Sequence, residues 1–430
     1  MKLKVKQWCV AASLLAIWLA IPADVRAQGT IKVGVLHSLS GTMAISETTL
    51  KDTVLMMIDE QNKKGGLLGK KLEAVVVDPA SNWPLFAEKA RQLLEKDKVD
   101  VVFGCWTSVS RKSVLPVFEK DNGLLFYPVQ YEGEESSKNV IYTGAAPNQQ
   151  AIPAVDYLMK DLGITRWVLE GTDYVYPRTT NKILEAYLLA KGVKPADISI
   201  NYTPFGHADW QTRVAAIKRF GSAGKKTAVV STINGDANVP FYKELGNQKV
   251  SAEDIPVVAF SVGEEELSGL DTKPLVGHLA AWNYFQSINT PGNRDFIAKW
   301  KTYIKKPTRT TNDPMEATYI GFNLWVKAVQ KAGSTSVDKV LAALPGLETP
   351  NLTGGIAKML PNHHITKPVY IGEVKADGQF DVVWKTTGTV PGDAWSDFLP
   401  VSKDTEADWV TLKCGNYNKK TKACSAQNYK

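Results

Sequence analysis

Short apolar runs alternate with longer amphipathic segments through most of the 430-residue chain. The run Thr30–Leu36 is typical of a buried β-strand. The segment Glu47–Lys64 repeats apolar residues at helical spacing, so that Leu50, Val54 and Ile58 share one face of a predicted helix. Regular alternation of such strands and helices predicts parallel sheets that are covered on both faces by helices.

The same pattern predicts the other elements of the chain. The further predicted strands are Lys71–Val77, Val99–Phe103, Leu124–Tyr127, Arg166–Leu169, Ile198–Tyr202, Ala228–Ser231, Val257–Phe260, Pro368–Val374 and Gln379–Trp384. The further predicted helices are Pro84–Lys96, Thr107–Asp121, Asn148–Leu162, Tyr176–Lys191, His207–Phe220 and Asp313–Ala332. The strands are too many for one comfortable sheet, so we expect an α/β protein with two lobes of similar size.

The N-terminal residues have the composition of a secretory signal peptide. Lys2, Lys4 and Lys6 precede the uncharged apolar run Trp8–Ile21, and small residues lead to a cleavage site after Ala27. The run is shorter than the ~20 residues of an ordinary membrane span. We therefore expect residues 1–27 to be removed and the mature protein to be periplasmic, with an uncleaved anchor as the alternative.

Charge and cysteine content narrow the function further. The net charge of +7 falls to about +4 when the four basic residues and one acidic residue of segment 1–27 are removed. Lysine and arginine form no long stripe with interleaved aromatic residues, which argues against nucleic-acid binding. Cys414 and Cys424 lie in a polar terminal segment and, after export, are expected to form a disulfide; two reduced thiols on a frayed tail are the alternative. Cys105 lies in an apolar context and is expected to be a buried thiol.

The turn that follows strand Val99–Phe103 is the first candidate binding element. Ligands of open parallel α/β sheets bind beyond the carboxyl ends of the strands, beside helix N-termini. Thr107 or Ser108 can cap the next helix, and the free N–H groups and hydroxyls there can donate to a carbonyl or carboxylate oxygen. Trp106 can form an apolar wall of the same site. A simple N-cap beside a surface tryptophan is the alternative.

Other predicted turns carry aromatic and polar residues at equivalent places. Their candidate ligand-binding residues are Tyr127, Gln130, Tyr174, Tyr176, Asp236, Glu265 and Trp282. Aromatic loops with a few polar groups form a box that can close around a small molecule. The acidic residues Glu264–Glu266 could instead serve only to stabilise a helix N-terminus through its dipole.

Signatures of catalysis are weak in this sequence. No Gly-x-Ser-x-Gly motif occurs, and segment Gly65–Lys70 lacks the spacing of a phosphate-binding loop. His363 and His364 are adjacent and cannot share a helix face, so a zinc site has no support. We expect no catalytic residue, no cofactor and no metal, and a secreted amidohydrolase is the rival hypothesis.

The chain resembles the urea and short-chain-amide group of type I periplasmic binding proteins, and within it the urea-binding components of ABC transporters. The resemblance covers about residues 30 to 390 and is carried by IKVGVLHSLSGTMA, NKKGGLLGKKLE, FGCWTSVSRKSVLPVFE, LLFYPVQYEG and GTDYVYPRTTN. It implies two Rossmann-like lobes with parallel-rich sheets, joined by a three-crossover hinge. The expected N-terminal lobe is 28–147 and 277–365, the C-terminal lobe is 148–276 and 366–400, and the tail is 401–430.

The resemblance also implies a function. It places ligand contacts at Trp106, Thr107, Ser108, Tyr127, Gln130, Tyr174 and Tyr176. Related amide sensors have Tyr and Pro where this chain has Trp106 and Gln130, and we infer that Gln130 adds hydrogen bonds that suit the second amino group of urea. Cytosolic relatives regulate transcription antitermination, which the expected signal peptide argues against.

We therefore expect a monomeric urea receptor that delivers its ligand to inner-membrane ABC permease subunits. Short-chain amides and branched-chain or other amino acids are alternative ligands, because amino-acid receptors share the fold and the acidic turns could hold an ammonium group. Urea has four heavy atoms, which limits its binding free energy to roughly −6 kcal/mol, or a Kd on the order of tens of micromolar.

Overall fold

The computed structural model describes residues 29–399, 405–408, 414–418 and 420–424. The expected signal peptide 1–27 and the side chains of Cys414 and Cys424, with their expected disulfide, lie outside the described part. Within that part, no helix is both long enough and apolar enough to cross a membrane, and no cluster of three or more His, Cys, Asp or Glu side chains could hold a metal ion.

Five parallel strands form the sheet of the first lobe, in the order β2-β1-β3-β4-β5. The strands are β1 Ile31–Leu36, β2 Leu72–Val77, β3 Val101–Gly104, β4 Leu125–Tyr127 and β5 Val140–Tyr142. The intervening helices are α1 Ala44–Lys63, α2 Trp83–Arg91, which continues as a π-helical turn over Gln92–Lys96, and α3 Ser108–Lys120. The apolar faces of these elements form one continuous buried core.

Seven strands form the sheet of the second lobe, in the order β15-β14-β10-β9-β8-β6-β7. They are β6 Arg166–Thr172, β7 Ile198–Thr203, β8 Thr227–Thr232, β9 Val257–Ala259, β10 Leu279–Trp282, β14 Tyr370–Val374 and β15 Phe380–Lys385. The first five are parallel, and the last two add an antiparallel hairpin at one edge. Helices α4 Ala151–Lys160, α5 Val175–Ala190, α6 Gln211–Gly221, α7 Asn238–Asn247 and α8 Glu264–Leu267 belong to this lobe.

The remaining elements complete the first lobe and the C-terminal segment. They are α9 Pro291–Ile304, α10 Asp313–Ala332, α11 Val337–Ala343, β11 Glu348–Pro350, β12 Ile356–Lys358, β13 Thr366–Lys367, β16 Val390–Pro391, β17 Thr405–Asp408, β18 Cys414–Asn418 and β19 Ala423–Cys424. Helices α9 and α10 pack on α1. The α/β fold with parallel-rich sheets that we expected is confirmed.

Three crossovers join the lobes, and one side chain links all of them. The Asn283 side-chain amide donates to the carbonyl of Gln149 at 2.9 Å and to that of Pro368 at 2.7 Å. Asn283 itself follows β10, so its amide connects the second crossover to the first and the third. Asp313 accepts from the backbone N–H of Asn283 at 2.8 Å and anchors this point to α10.

The second crossover lies later in the chain than we expected. We expected the lobe boundary after residue 276, but the pairing of β10 moves it. Leu279 pairs with Val258 of β9 and with Glu373 of β14, so β10 belongs to the second sheet. The chain therefore returns to the first lobe after Trp282. The turn at Trp282 lies at the end of β10, where we expected a turn, but strand β10 itself was not predicted, because its four buried residues are too few to show a periodicity.

Candidate functional site

The carboxyl ends of the two sheets face each other and make direct contacts. Gln130, which follows β4, donates from its side-chain amide to Ser261 Oγ, which follows β9, at 2.5 Å. Ser46 Oγ on α1 donates to Glu266 Oε1 on α8 at 2.7 Å. The backbone N–H of Asp236 donates to the Thr42 carbonyl at 3.1 Å. The lobes are thus closed on each other where ligands of such sheets bind.

Trp106 lies at the start of this contact region on the first lobe. The preceding Cys105 adopts a left-handed backbone with φ of +67°, which redirects the chain away from β3. The Trp106 side chain is only 2% exposed, so the alternative of a surface tryptophan is wrong. Its indole Nε1 has no hydrogen-bond partner among the described residues. A buried N–H without a partner costs about 1–3 kcal/mol, so this group is available to a ligand acceptor.

Thr107 caps the next helix as expected, but the Thr107 and Ser108 hydroxyls are engaged within the protein. Thr107 caps α3, accepting from the Ser110 N–H at 3.2 Å and donating to Ser110 Oγ at 2.9 Å. Ser108 Oγ donates to Glu132 and accepts from Arg111 Nη1 at 3.0 Å. Both hydroxyls are already used inside the protein. The expectation that these hydroxyls donate to a ligand oxygen is therefore not met, because a neighbouring buried carboxylate and a buried hydroxyl claim them first.

Arg111 organises a buried charge network directly behind this turn. Its Nε donates to Glu135 at 2.6 Å and its Nη2 to Glu132 at 3.0 Å. The guanidinium lies 4.8 Å from the ring centre of Tyr127 and 4.7 Å from that of Tyr131. Burial alone would raise the pKa of Glu135, but the charges of Arg111 and Lys112 outweigh it and hold that pKa below its usual range. Every nitrogen of the Arg111 guanidinium is engaged, so it is not available to bind an anionic ligand.

Tyr127 and Gln130 lie together beyond β4. The Tyr127 hydroxyl donates to the Trp106 carbonyl and so fixes the Trp106 turn against β4. Gln130 is 3% exposed, and its amide nitrogen is used by Ser261. Its carbonyl Oε1 has no partner within the described part of the chain. Gln130 thus offers one free acceptor at the contact between the lobes.

Tyr174 and Tyr176 approach from the second lobe at the N-terminus of α5. They form a small apolar cluster with Val109 of α3, which brings the N-terminal ends of the two helices together. Burial raises the pKa of Tyr176, and the nearby Gln130 and Ser261 side chains oppose the shift. The Tyr176 hydroxyl has no hydrogen bond of good geometry to any described residue. It therefore lies beside Gln130 and Ser261 as a second polar group that no well-formed hydrogen bond occupies.

Three expected contact residues lie outside this group. The Asp236 side chain is exposed, and only its backbone reaches the first lobe. Glu265 forms an ion pair with Arg309 at 2.6 Å and accepts from Thr310 Oγ1 at 3.0 Å. The indole of Trp282 donates to the Val262 carbonyl at 2.8 Å within the core of the second lobe. Local pairing satisfies the polar atoms of Glu265 and Trp282, so neither offers a free group to a ligand.

His37 and Glu47 form a buried pair that was not predicted from the sequence. His37 follows β1, and its Nδ1 lies 3.2 Å from Glu47 Oε2 in the first turn of α1. The Ser38 N–H donates to the same oxygen at 2.7 Å. Burial raises the pKa of Glu47, while the contacts with His37 and Ser38 oppose the shift. An acidic residue in the first turn of a helix is ordinarily explained by the helix dipole, so Glu47 does not stand out in the sequence as part of a site.

Comparison with known proteins identifies the family. The profile of the periplasmic binding protein domain family matches residues 31–401. A solute-binding protein of an ABC transporter from Rhodopseudomonas palustris HaA2, solved with p-hydroxybenzoic acid, superposes with a TM-score of 0.73 at 22% identity. That likeness covers 85% of this chain and 98% of the other, and it establishes the fold.

Two curated relatives are similar over shorter stretches. The Leu/Ile/Val-binding protein BraC3 of Rhizobium johnstonii is 26% identical over 195 residues, which are 45% of this chain and 52% of that protein. A protein named limonene hydroxylase from Geobacillus stearothermophilus is 33% identical over 122 residues, which are 28% of this chain and 22% of that protein. The chain thus spans about half or less of the length of these relatives. The family profile, by contrast, spans nearly all of the two-lobed fold, and the chain belongs to the periplasmic binding protein domain family.

Proposed function

We propose that this protein is the solute-binding component of an ABC uptake transporter. The family, the closed two-lobed fold and the secretion-like N-terminus support this role. In it, the mature chain works as a monomer in the periplasm and hands its solute to inner-membrane permease subunits. The lobe division in this proposal keeps the expected first crossover near residue 147 and moves the second boundary from residue 276 to the end of β10.

We propose further that the solute is urea, bound between the lobes. The observation that carries this proposal is the set of three buried polar atoms without partners where the lobes meet: Trp106 Nε1, Gln130 Oε1 and the Tyr176 hydroxyl. Trp106 can only donate, Gln130 Oε1 can only accept, and a tyrosine hydroxyl can do either. Urea carries one strong acceptor and four N–H donors. In this proposal Trp106 serves the oxygen, and Gln130 and Tyr176 serve N–H groups.

The charges around these atoms favour a neutral ligand. A carboxylate that is buried without a cationic partner is strongly destabilised. The cation behind the Trp106 turn is Arg111. Its guanidinium donates hydrogen bonds to Glu132, Glu135 and Ser108 and so is not available to a ligand carboxylate. Short-chain amides satisfy the same three atoms and are alternative ligands of the same chemistry.

An amino acid is the second candidate ligand. The similarity to a Leu/Ile/Val-binding protein favours it, and the buried acids Glu47 and Glu266 could face an ammonium group. Such a ligand would need its carboxylate held by backbone N–H groups at the starts of α3 and α5, without a free arginine. The solved relative with bound p-hydroxybenzoic acid adds an aromatic carboxylate to the solutes that should be tested.

Calorimetric titration separates these ligands. Purified protein is titrated with urea, acetamide, leucine and 4-hydroxybenzoate, and ammonia release is measured in parallel. We expect saturable binding of urea with a Kd on the order of tens of micromolar, weaker binding of acetamide, and no ammonia. Binding of leucine or 4-hydroxybenzoate without any binding of urea would overturn the urea assignment. The proposal that the protein is a solute receptor would stand. Sustained ammonia release would favour the rival secreted amidohydrolase.

A further inference from the structure

Glu47 has an acceptor oxygen that the rest of the protein does not use. Its side chain is fully buried, and Oε2 takes both the Ser38 N–H and the contact with His37. Oε1 has no hydrogen-bond partner in the described ranges, and neither does His37 Nε2. Buried carboxylate oxygens are ordinarily satisfied. A pair with one unused atom on each member therefore calls for an explanation.

The position of Glu47 places it at the cleft. The adjacent residue, Ser46, makes a direct hydrogen bond to Glu266 of the second lobe. On the other side, the charge of Glu47 contributes to the raised pKa of Cys105, whose largest cause is burial. Cys105 immediately precedes Trp106. Glu47 thus lies between the contact of α1 with the second lobe and the turn that presents the Trp106 indole.

The cations near this turn cannot balance a second negative charge. Arg111 uses all of its nitrogens on Ser108, Glu132 and Glu135. The Lys112 ammonium donates to Glu135 at 2.7 Å. At the ends of β1 and β3, within the part of the chain that the structure describes, the charged group with an unused atom is therefore the Glu47 carboxylate, which is paired with His37.

We propose that the His37–Glu47 pair determines the specificity of the cleft, with Glu47 Oε1 accepting an N–H of the solute and repelling solutes that present a carboxylate at the same place. This inference rests on the proposed function and names its substrate class: small planar molecules with an NH₂ group beside a carbonyl. Acetamide and acetate have nearly the same shape. Where acetamide has an NH₂ group that donates a hydrogen bond, acetate has an oxygen of its charged carboxylate. A carboxylate of the solute placed beside the Glu47 carboxylate should weaken binding by roughly 100-fold, because the two charges repel each other.

The test compares urea, acetamide and acetate on wild type and Glu47→Gln by calorimetry. The Gln side chain keeps the shape and removes the charge. Loss of one hydrogen bond to a charged acceptor should weaken urea binding by about tenfold or more, and the urea-to-acetate affinity ratio should fall by at least tenfold. Glu170→Gln is the matched control, because Glu170 is equally buried but pairs with Arg213 in the second lobe; its ratio should match wild type.

The outcomes separate this inference from the urea assignment. In one outcome, wild type prefers urea and the folded Glu47→Gln variant has the same urea-to-acetate affinity ratio. This result overturns the role of the His37–Glu47 pair and leaves the urea proposal standing. Wild type that binds acetamide but not urea removes the urea assignment, and the acetamide-to-acetate ratio then tests the pair. Wild type that binds acetate as tightly as urea overturns the role of the pair. Wild type that binds only leucine overturns both. If Glu47→Gln does not fold, Glu47→Asp retracts the oxygen and should also weaken urea by about tenfold, and an unchanged urea affinity would overturn the proposal.

Discussion

Replacing Arg111 with methionine tests the buried network behind the Trp106 turn. Arg111 is fully buried and donates to Glu135 at 2.6 Å, to Glu132 at 3.0 Å and to Ser108 at 3.0 Å. Methionine fills a comparable volume but leaves two buried carboxylates without their cation. Removing one partner of a buried ion pair costs about 3–5 kcal/mol. Lys112 remains beside Glu135, which places the expected loss toward the lower end of that range.

The loss should be visible as a lower melting temperature. Unfolding entropy is about 2.1 cal/mol/K per residue, so 3–5 kcal/mol in the part of the chain between residues 29 and 399 corresponds to roughly 4–6 °C. Differential scanning calorimetry at pH 7 measures it. Lys160→Met is the control, because Lys160 forms only an exposed pair with Asp156 at 2.8 Å; its melting temperature should change by less than about 1 °C.

The dependence on pH provides a second readout with a defined sign. In wild type the folded-state pKa of Glu135 is below its usual range. Glu135 therefore stabilises the fold above its unfolded pKa of about 4.3, and this contribution is lost as the pH falls. In Arg111→Met, burial without the arginine should raise the pKa of Glu135, so protonation of Glu135 relieves part of the penalty as the pH falls. The difference between the two proteins should shrink from pH 7 to about pH 4.5. A variant that melts within about 1 °C of wild type at pH 7, or a gap that widens on acidification, would refute the reasoning.

Three further predictions use matched variants. Trp106→Phe removes the unpartnered indole N–H and should weaken urea binding about 2- to 10-fold by calorimetry, whereas Trp325→Phe, which removes an equally unpartnered N–H in the first-lobe core, should not. Gly235→Ala places a Cβ 2.6 Å from the Thr42 carbonyl oxygen of the first lobe and should weaken binding about tenfold, the effect of about 1.4 kcal/mol. Gly224→Ala, also at positive φ but in open space, should leave the affinity unchanged; equal effects of the two variants would contradict closure at this contact. Burial raises the pKa of Glu264 to about 8, so wild type should lose stability as the pH rises from about 4.3 through 8. Glu264→Gln should therefore melt at a higher temperature than wild type at pH 9 but not at pH 5. A difference in melting temperature that does not depend on pH would contradict this.

Hydrophobic spacing predicted much of the fold. Helix Asp313–Ala332 has the bounds that the sequence indicates, because the Asn312 side chain caps its start and Gly333, at φ of +59°, ends it. The predicted strands Pro368–Val374 and Gln379–Trp384 correspond to β14 and β15, which pair with each other in antiparallel orientation. Strand β5, Val140–Tyr142, was not predicted, because three buried residues are too few to show any periodicity.

The candidate site was only partly predictable for a different reason. Trp106, Gln130 and Tyr176 lie on turns that directly follow strands, and the rule for open parallel sheets finds such turns. Glu265 lies on such a turn too, but its carboxylate pairs with Arg309, which is 44 positions away in the sequence. Sequence position alone does not reveal which polar atoms other parts of the chain already satisfy. Glu47 could not be predicted for the same reason, because its proposed role depends on Oε1, which has no hydrogen-bond partner among the described residues.

A crystal structure of the protein grown with urea tests the central claim most directly. The account predicts one planar molecule enclosed between the lobes, with its oxygen within hydrogen-bond distance of Trp106 Nε1 and an N–H group directed at Gln130 Oε1. Urea bound elsewhere, or a cleft in which those two atoms bond only to water while the lobes stay closed, would contradict it.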